Sequence, residues 1–185
     1  MTDTKLPVAI LSAAGFEETT LTDFQKALLA GGYAVKIVTP DGGLVQGWHE
    51  ESWGHHFMAD ENLSDVLSAD FSGLIVPDGE RSNQTLKANP HARRFVKAFV
   101  DTGKPVLTVA DSVELLAAAE VAAGRRVTGP EAQRDMLSQA GAEWVEEEAT
   151  LTNDNVVTTS AESGNAGRLQ AFLDLLEAEE VQEAA

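Results

Sequence analysis

The chain has no cysteine, and this absence removes whole classes of chemistry. Disulfides, thiolate metal sites and a thiol nucleophile are excluded, while the redox state of the compartment is left open. Cations are scarce too. Thirteen Lys and Arg stand against 30 Asp and Glu, and the resulting net charge of −17, with no concentrated basic stretch, repels phosphate backbones and anionic membrane surfaces. Neither a nucleic acid nor a membrane is expected as a partner. No apolar run approaches the ~20 residues that span a bilayer, and the opening "MTDTKLPVAILSA" has neither the basic region nor the apolar stretch of a signal peptide. A cytoplasmic location is the expectation. No Gly-x-Gly-x-x-Gly enters a helix, so Gly42, Gly43 and Gly79 read as turns rather than a phosphate cradle, and no cofactor is expected.

What is present is the patterning of one globular domain, residues 1–185, with an ordered core over about 5–178 and an acidic tail over 179–185. Apolar runs of strand length, "VAILSA", "AVKIVTP", "GLIVPDG" and "KPVLTVA", alternate with helix-length amphipathic segments. In "NPHARRFVKAFVDTGKP", Ala92, Phe95, Val96, Phe99 and Val100 recur at helical spacing, and Gly103 and Pro105 mark the stop. A helix is predicted from about Pro130 to Ala140, short antiparallel strands in "AEWVEEEATLTNDNVVTTS", and a final helix facing inward through Leu169, Phe172, Leu173 and Leu176. The acidic runs at Glu146–Glu148 and in the tail read as solvated faces. Turn residues in "DGGLVQGWHEESWGHHFMAD" suggest a β-hairpin excursion. The pattern predicts an α/β fold: a three-layer sandwich with a mostly parallel central sheet, helices on both faces and a small hairpin, its ligand at the carboxyl ends of the central strands.

Lys104 to Ala119, "KPVLTVADSVELLAAA", reads as a buried strand, an abrupt bend and a helix start, with Ala110 at the bend. In succession with "AAGFEETTLTDFQKAL", "AVKIVTPDGG", "GLIVPDGERSNQTLKANPHARRFVKAFVDTGKPV", "GRRVTGPEAQRDMLSQAGAEWVEEE" and "NVVTTSAES", this stretch resembles the ThiJ/PfpI family over nearly the whole chain. The family comprises intracellular proteases, general stress proteins and deglycases. The resemblance implies a flavodoxin-like fold related to class I glutamine amidotransferases, and a nucleophilic cysteine in an elbow of the form Ala-Ile-Cys-His-Gly-Pro. On this chain that motif falls on "VADSVE", so Ala110 takes the cysteine position, Asp111 the histidine, Ser112 the glycine and Val113 the proline.

A methyl group cannot attack a carbonyl or be oxidised to a sulfenic acid. The family's helix glutamate falls on Thr20, with Glu17 and Glu18 beside it but not matching it, and its supporting acid, from a neighbouring subunit, falls on Gln84. The Pro-Gly-Gly turn of its oxyanion hole reads Pro77, Asp78, Gly79, and an Asp there opposes a developing negative charge. The resemblance therefore implies a family member without the family's chemistry. Such a chain keeps the elbow pocket, lined by Glu17, Asp78, Gly79, Asp111 and Ser112, for a small-molecule ligand or for none, and forms a homo-oligomer.

Asp111 and Ser112 read as helix N-caps, since their oxygens suit the free N–H groups of a first turn. The alternative function is an active hydrolase, protease-like enzyme or deglycase with replaced chemistry, drawn from Asp111, Ser112 or a metal on the hairpin. The metal candidates are His49, His55 and His56, although neighbours on a strand point to opposite faces and their spacing matches no zinc motif. Trp48, Trp53 and Phe57 cluster in the same hairpin and suit either a local core or a partner subunit. A purely structural interaction module is the third class.

Overall fold

The computed structural model describes residues 5–146 and 148–185, so Glu147 of the first acidic run lies outside the description. The chain opens with β1 (Val8–Leu11), β2 (Phe16–Glu17), α1 (Glu18–Ala30) and β3 (Val35–Thr39). The hairpin follows as β4 (Leu44–His49) and β5 (Ser52–Met58), then β6 (Glu61–Asn62) and β7 (Gly73–Val76). Next come α2 (Glu80–Ala88), α3 (Pro90–Asp101), β8 (Val106–Thr108) and α4 (Glu114–Ala118). The last part holds β9 (Arg126–Val127), α5 (Arg134–Gln139), β10 (Glu143–Trp144), β11 (Thr150–Asn153), β12 (Val156–Thr159) and α6 (Asn165–Glu183).

The seven-stranded sheet has the order β11-β12-β8-β7-β1-β3-β6, parallel except where β11 runs against β12 at the edge. From β1 the chain builds first toward β3 and then reverses to β7, β8 and β12. That reversal opens a crevice at the carboxyl ends of β1 and β7, where a flavodoxin-like sheet binds ligands. Side-chain alternation divides the core. Val8 and Ile10 join Ile75, Leu107, Val157 and the apolar faces of α1 and α6, whereas Ala9 and Leu11 join Leu74, Val76, Val106 and the faces of α3 and α4. Helices cover both sides, so the central strands are apolar throughout.

The helix over Pro90–Asp101 buries the five predicted residues, and Asn89 starts it by accepting from the backbone N–H groups of His91 (2.8 Å) and Ala92 (3.2 Å). Three details differ from the sequence pattern. The helix expected over 130–140 begins as a single 3-10 turn before α5, and β10 pairs parallel with β9 rather than antiparallel to a neighbour. The expected tail is mostly helix, because α6 runs on to Glu183 and Glu180 meets Lys5 at 2.9 Å. The hairpin is present, and β2 adds to it as a third strand.

Candidate functional site

Three chain segments meet at the crevice: the turn after β1, the turn after β7 and the bend after β8. Ala110 holds φ +47°, left-handed backbone that an L side chain rarely adopts. The bend is therefore built like a nucleophile elbow although a methyl group occupies it. It is pinned by the Ala110 N–H, which donates to Thr159 Oγ1 at 3.1 Å, and by the Ser112 hydroxyl, which donates to the Val76 carbonyl at 2.9 Å. Ser112 is fully buried and its hydroxyl is committed, so it offers no nucleophile.

The turn after β7 needs its glycine. Gly79 has φ +133°, and a Cβ there would stand 2.5 Å from the Gly15 carbonyl oxygen and 2.8 Å from Phe16 Cα. This close approach brings the Pro77–Gly79 turn against β2, where Glu17 contributes its backbone N–H to the Asp78 carbonyl at 2.8 Å. The Glu17 carboxylate turns away to accept from the Thr19 hydroxyl at 2.8 Å. The Gly79 N–H, which stands where the family resemblance puts an oxyanion donor, donates to Asp111 Oδ1 at 3.1 Å. The predicted capping role of Asp111 and Ser112 is thus corrected: no side-chain cap forms at that helix start. Both oxygens reach instead across to the neighbouring turn, because the 3-10 bend aims them sideways.

The electrostatics follow from burial. Desolvation pushes the Asp111 carboxyl above the ordinary range, partly countered by the Gly79 N–H and the Asn83 amide, while Glu114 pushes it further up. Burial also raises Asp78, countered by the Thr20 hydroxyl that faces it and by Arg168, while Asp111 adds to the rise. One oxygen of Asp78 has no hydrogen-bond partner among the described residues. Arg168 is 5% exposed; it holds the Ser160 carbonyl (2.9 Å) and Asn165 Oδ1 (3.0 Å), and its Nε is unpartnered among the described residues. Asp78, Asp111, Thr20, Asn83 and Arg168 thus gather beside Ala110.

Other predicted residues lie apart. Gln84 is exposed on α2 and donates to Glu80 at 3.3 Å. On the hairpin, His55 is held by Glu18: its backbone N–H and ring Nδ1 meet the two carboxylate oxygens at 2.9 and 2.6 Å. Burial alone would raise that carboxyl, but the two His55 contacts hold it below the usual range. Among the described residues no group of three or more His, Cys, Asp or Glu is arranged to hold a metal ion, so His49, His55 and His56 do not converge. Phe57 packs edge-on against Phe16, 5.4 Å between ring centres. Trp48 packs against Trp53 and carries the Arg81 guanidinium 3.9 Å from its ring centre.

The sequence reading missed Arg168, Asn83 and the Glu18 anchor. A charged residue beside Leu169 on an inward helix face was the available signal for Arg168. Gly47 and Gly54, flanking the hairpin aromatics, were the signal for a close approach. No comparable signal marked Asn83.

Comparison with known proteins agrees with this architecture. The model of the DJ-1/PfpI family matches residues 7–174. The chain belongs to that family. General stress protein 18 of Bacillus subtilis is 30% identical over 156 residues, covering 82% of this chain and 87% of that protein. A deglycase of Thermococcus kodakarensis is also 30% identical, over 79% of this chain and 85% of its own. Among solved structures, a ThiJ/PfpI domain protein of Brachyspira murdochii superposes with a TM-score of 0.82 at 20% identity, over 92% of this chain and 95% of that one. This last likeness concerns the fold. Among the described residues of this DJ-1/PfpI member, no helix is long and apolar enough to cross a membrane.

Proposed function

We propose that this DJ-1/PfpI chain is a non-catalytic member of its family, a cytoplasmic homo-oligomer that uses the elbow region to bind a small ligand rather than to transform one. The observation that carries this reading is the Asp111–Gly79 contact at 3.1 Å. A backbone donor that could stabilise an oxyanion is occupied by the chain's own carboxylate, and a second carboxyl, Asp78, stands beside it. Negative charge developing on a substrate would meet repulsion instead of a donor. The exposed apolar residues of the hairpin, Trp53 and Met58, support self-association through that element.

Purified protein is expected to show no peptidase, deglycase or glyoxalase turnover above background. Robust turnover that is lost on changing Asp111 would overturn the reading. One observation favours a second reading, catalysis by replaced groups: Asp78 and Asp111 are adjacent carboxyls, both raised by burial, as acid–base pairs are. Turnover abolished by Asp78→Asn would decide for it.

A further inference from the structure

A cavity of about 340 Å³ opens on the α2 and α4 side of the elbow, reached through Asp111 rather than through Ala110. Its lining mixes polar and apolar surface, and Glu80, Asn83, Lys87, Asp111, Glu114 and Gln133 supply the polar part. Two features mark it as unsatisfied. Asn83 is 1% exposed, and although its amide faces the Asp111 carboxyl, neither amide atom closes a well-formed hydrogen bond among the described residues. Gln133 donates to Glu114 at 3.0 Å, yet its buried carbonyl oxygen has no partner among them. Buried amides left in this state cost free energy unless something else completes their bonding.

The charge of the wall selects what that is. Glu80, Asp111 and Glu114 are opposed by Lys87 alone, which is already paired with Glu114. The cavity therefore carries excess negative charge and its polar groups are mainly acceptors: carboxylate oxygens, with the buried Gln133 carbonyl, unpartnered among the described residues, in its wall. Anions such as phosphates or carboxylic acids are repelled by it, and an apolar ligand would bury these acceptors without partners. A ligand with several N–H donors and a positive charge satisfies both conditions.

We propose that this cavity binds a protonated amine or guanidinium group, with Asp111 and Glu114 as the charged acceptors and the Gln133 carbonyl and Asn83 amide as orienting groups. The proposal rests on the reading of the elbow region as a ligand site and names the class of ligand. The group can come from a free polyamine or from a Lys or Arg side chain of a polypeptide; the chemistry recognised is the same.

The test is calorimetric titration of the full chain with putrescine, arginine amide and Nα-acetyl-lysine amide, with butanediol and succinate as neutral and anionic counterparts. Saturable binding of at least one cationic probe is expected, with none by succinate or butanediol. Putrescine alone would assign a free polyamine, and acetyl-lysine amide or arginine amide at equal affinity a side chain. Asp111→Asn should weaken binding about tenfold or more. Lys87→Gln removes the one opposing charge and should tighten it several-fold, a gain that a merely structural role for Lys87 would not produce and that remains readable if Asp111→Asn fails to fold. Absence of binding by every cationic probe, succinate binding as well as putrescine, or weaker binding by Lys87→Gln would each overturn the proposal. Should butanediol or succinate alone bind and shift the amide resonances of Asn83 and Gln133, the cationic class fails while the ligand-site reading stands. Turnover by the unmodified chain would sink that reading itself.

Discussion

Substituting Gly79 by alanine tests whether the close approach of two turns is what builds the site. Two separate costs arise. At φ +133° the backbone is one that L residues rarely adopt, worth about 1–3 kcal/mol. The added methyl carbon would also lie 2.5 Å from the Gly15 carbonyl oxygen, 2.8 Å from Phe16 Cα and 3.1 Å from the Glu17 nitrogen. All three are backbone atoms of a buried segment and cannot swing aside, so overpacking adds about 1–3 kcal/mol. Gly43 supplies the control. Its φ is +70°, yet a Cβ there meets nothing within 4 Å, so Gly43→Ala should cost only the conformational part, about 1 kcal/mol. Thermal unfolding by circular dichroism reads the difference. For a chain of this size each kcal/mol shifts Tm by about 2–4 °C, so Gly79→Ala is expected to lower Tm by about 4–24 °C and Gly43→Ala by about 2–4 °C. Equal shifts would refute the argument, because conformational strain alone would then account for both.

Three further outcomes are expected. Burial raises Asp78 and Asp111, so the folded chain holds protons that the unfolded chain has already released. Their contribution to stability is thus greatest at or below the ordinary carboxylate range and is lost as pH rises through the raised values. Asp78→Asn should therefore flatten the decline seen by urea unfolding as pH rises above the ordinary carboxylate range, about 4, and an unchanged slope would contradict it. Ala110→Cys places a thiol next to the Asp111 carboxylate, which holds it protonated. Iodoacetamide should label it no faster than free cysteine, and adding Asp111→His should speed labelling about tenfold; faster labelling of the single variant would count against the assignment. Finally, a Cβ at Gly54 would stand 2.0 Å from Glu18 Oε2, so Gly54→Ala should dislodge the carboxylate from His55. In a Glu18→Ala background that penalty should vanish, giving a coupling of about 1–2 kcal/mol by urea unfolding, whereas additive losses would show that the two residues do not share the notch.

Much of the fold was legible because it depends on periodicity. The unbroken apolar run Val8–Leu11 marks a strand buried on both faces, and the helical recurrence from Ala92 to Val100 fixes a helix face, each with local information alone. The order of the apolar runs then leads to the sheet. The site was legible only where a residue type excludes chemistry by itself, as Ala110 does. Asp111 shows the limit: as a sequence feature it reads as a cap, since Asp before a helix usually is one. Its actual partner, Gly79, lies 32 residues away and is brought near only by the sheet reversal. The final helix carried a similar ambiguity. An acidic tail reads as solvated and is largely exposed, yet it is helical to Glu183, and Glu180 pairs with Lys5 from the far end of the chain. Contacts of this kind are set by topology, and no local pattern encodes them.

The replaced residues at the elbow are related to one another, and that bears on whether the site has decayed or changed use. The resemblance places a glutamate at Thr20 and a glycine at Asp78; this chain has a short hydroxyl on the helix and a carboxyl on the facing turn. The two oppose each other in the structure, with the Thr20 hydroxyl countering the burial of Asp78. A carboxyl has in effect moved from one wall of the crevice to the other. The exchange at Ala110 and Asp111 has the same character: a methyl group stands where the resemblance places a thiol, and the next side chain accepts from the Gly79 N–H. Unrelated loss would leave Gly79 N–H unpaired and Asp78 without a hydroxyl opposite it, each a cost in a buried setting. The walls instead complement each other at these two contacts, while Asp78 Oδ1 and Arg168 Nε at the crevice and the Asn83 and Gln133 amides toward the cavity stay unpartnered among the described residues. Paired groups where the turns meet, beside unpartnered ones at the crevice and the cavity, are the pattern that the proposed binding site calls for.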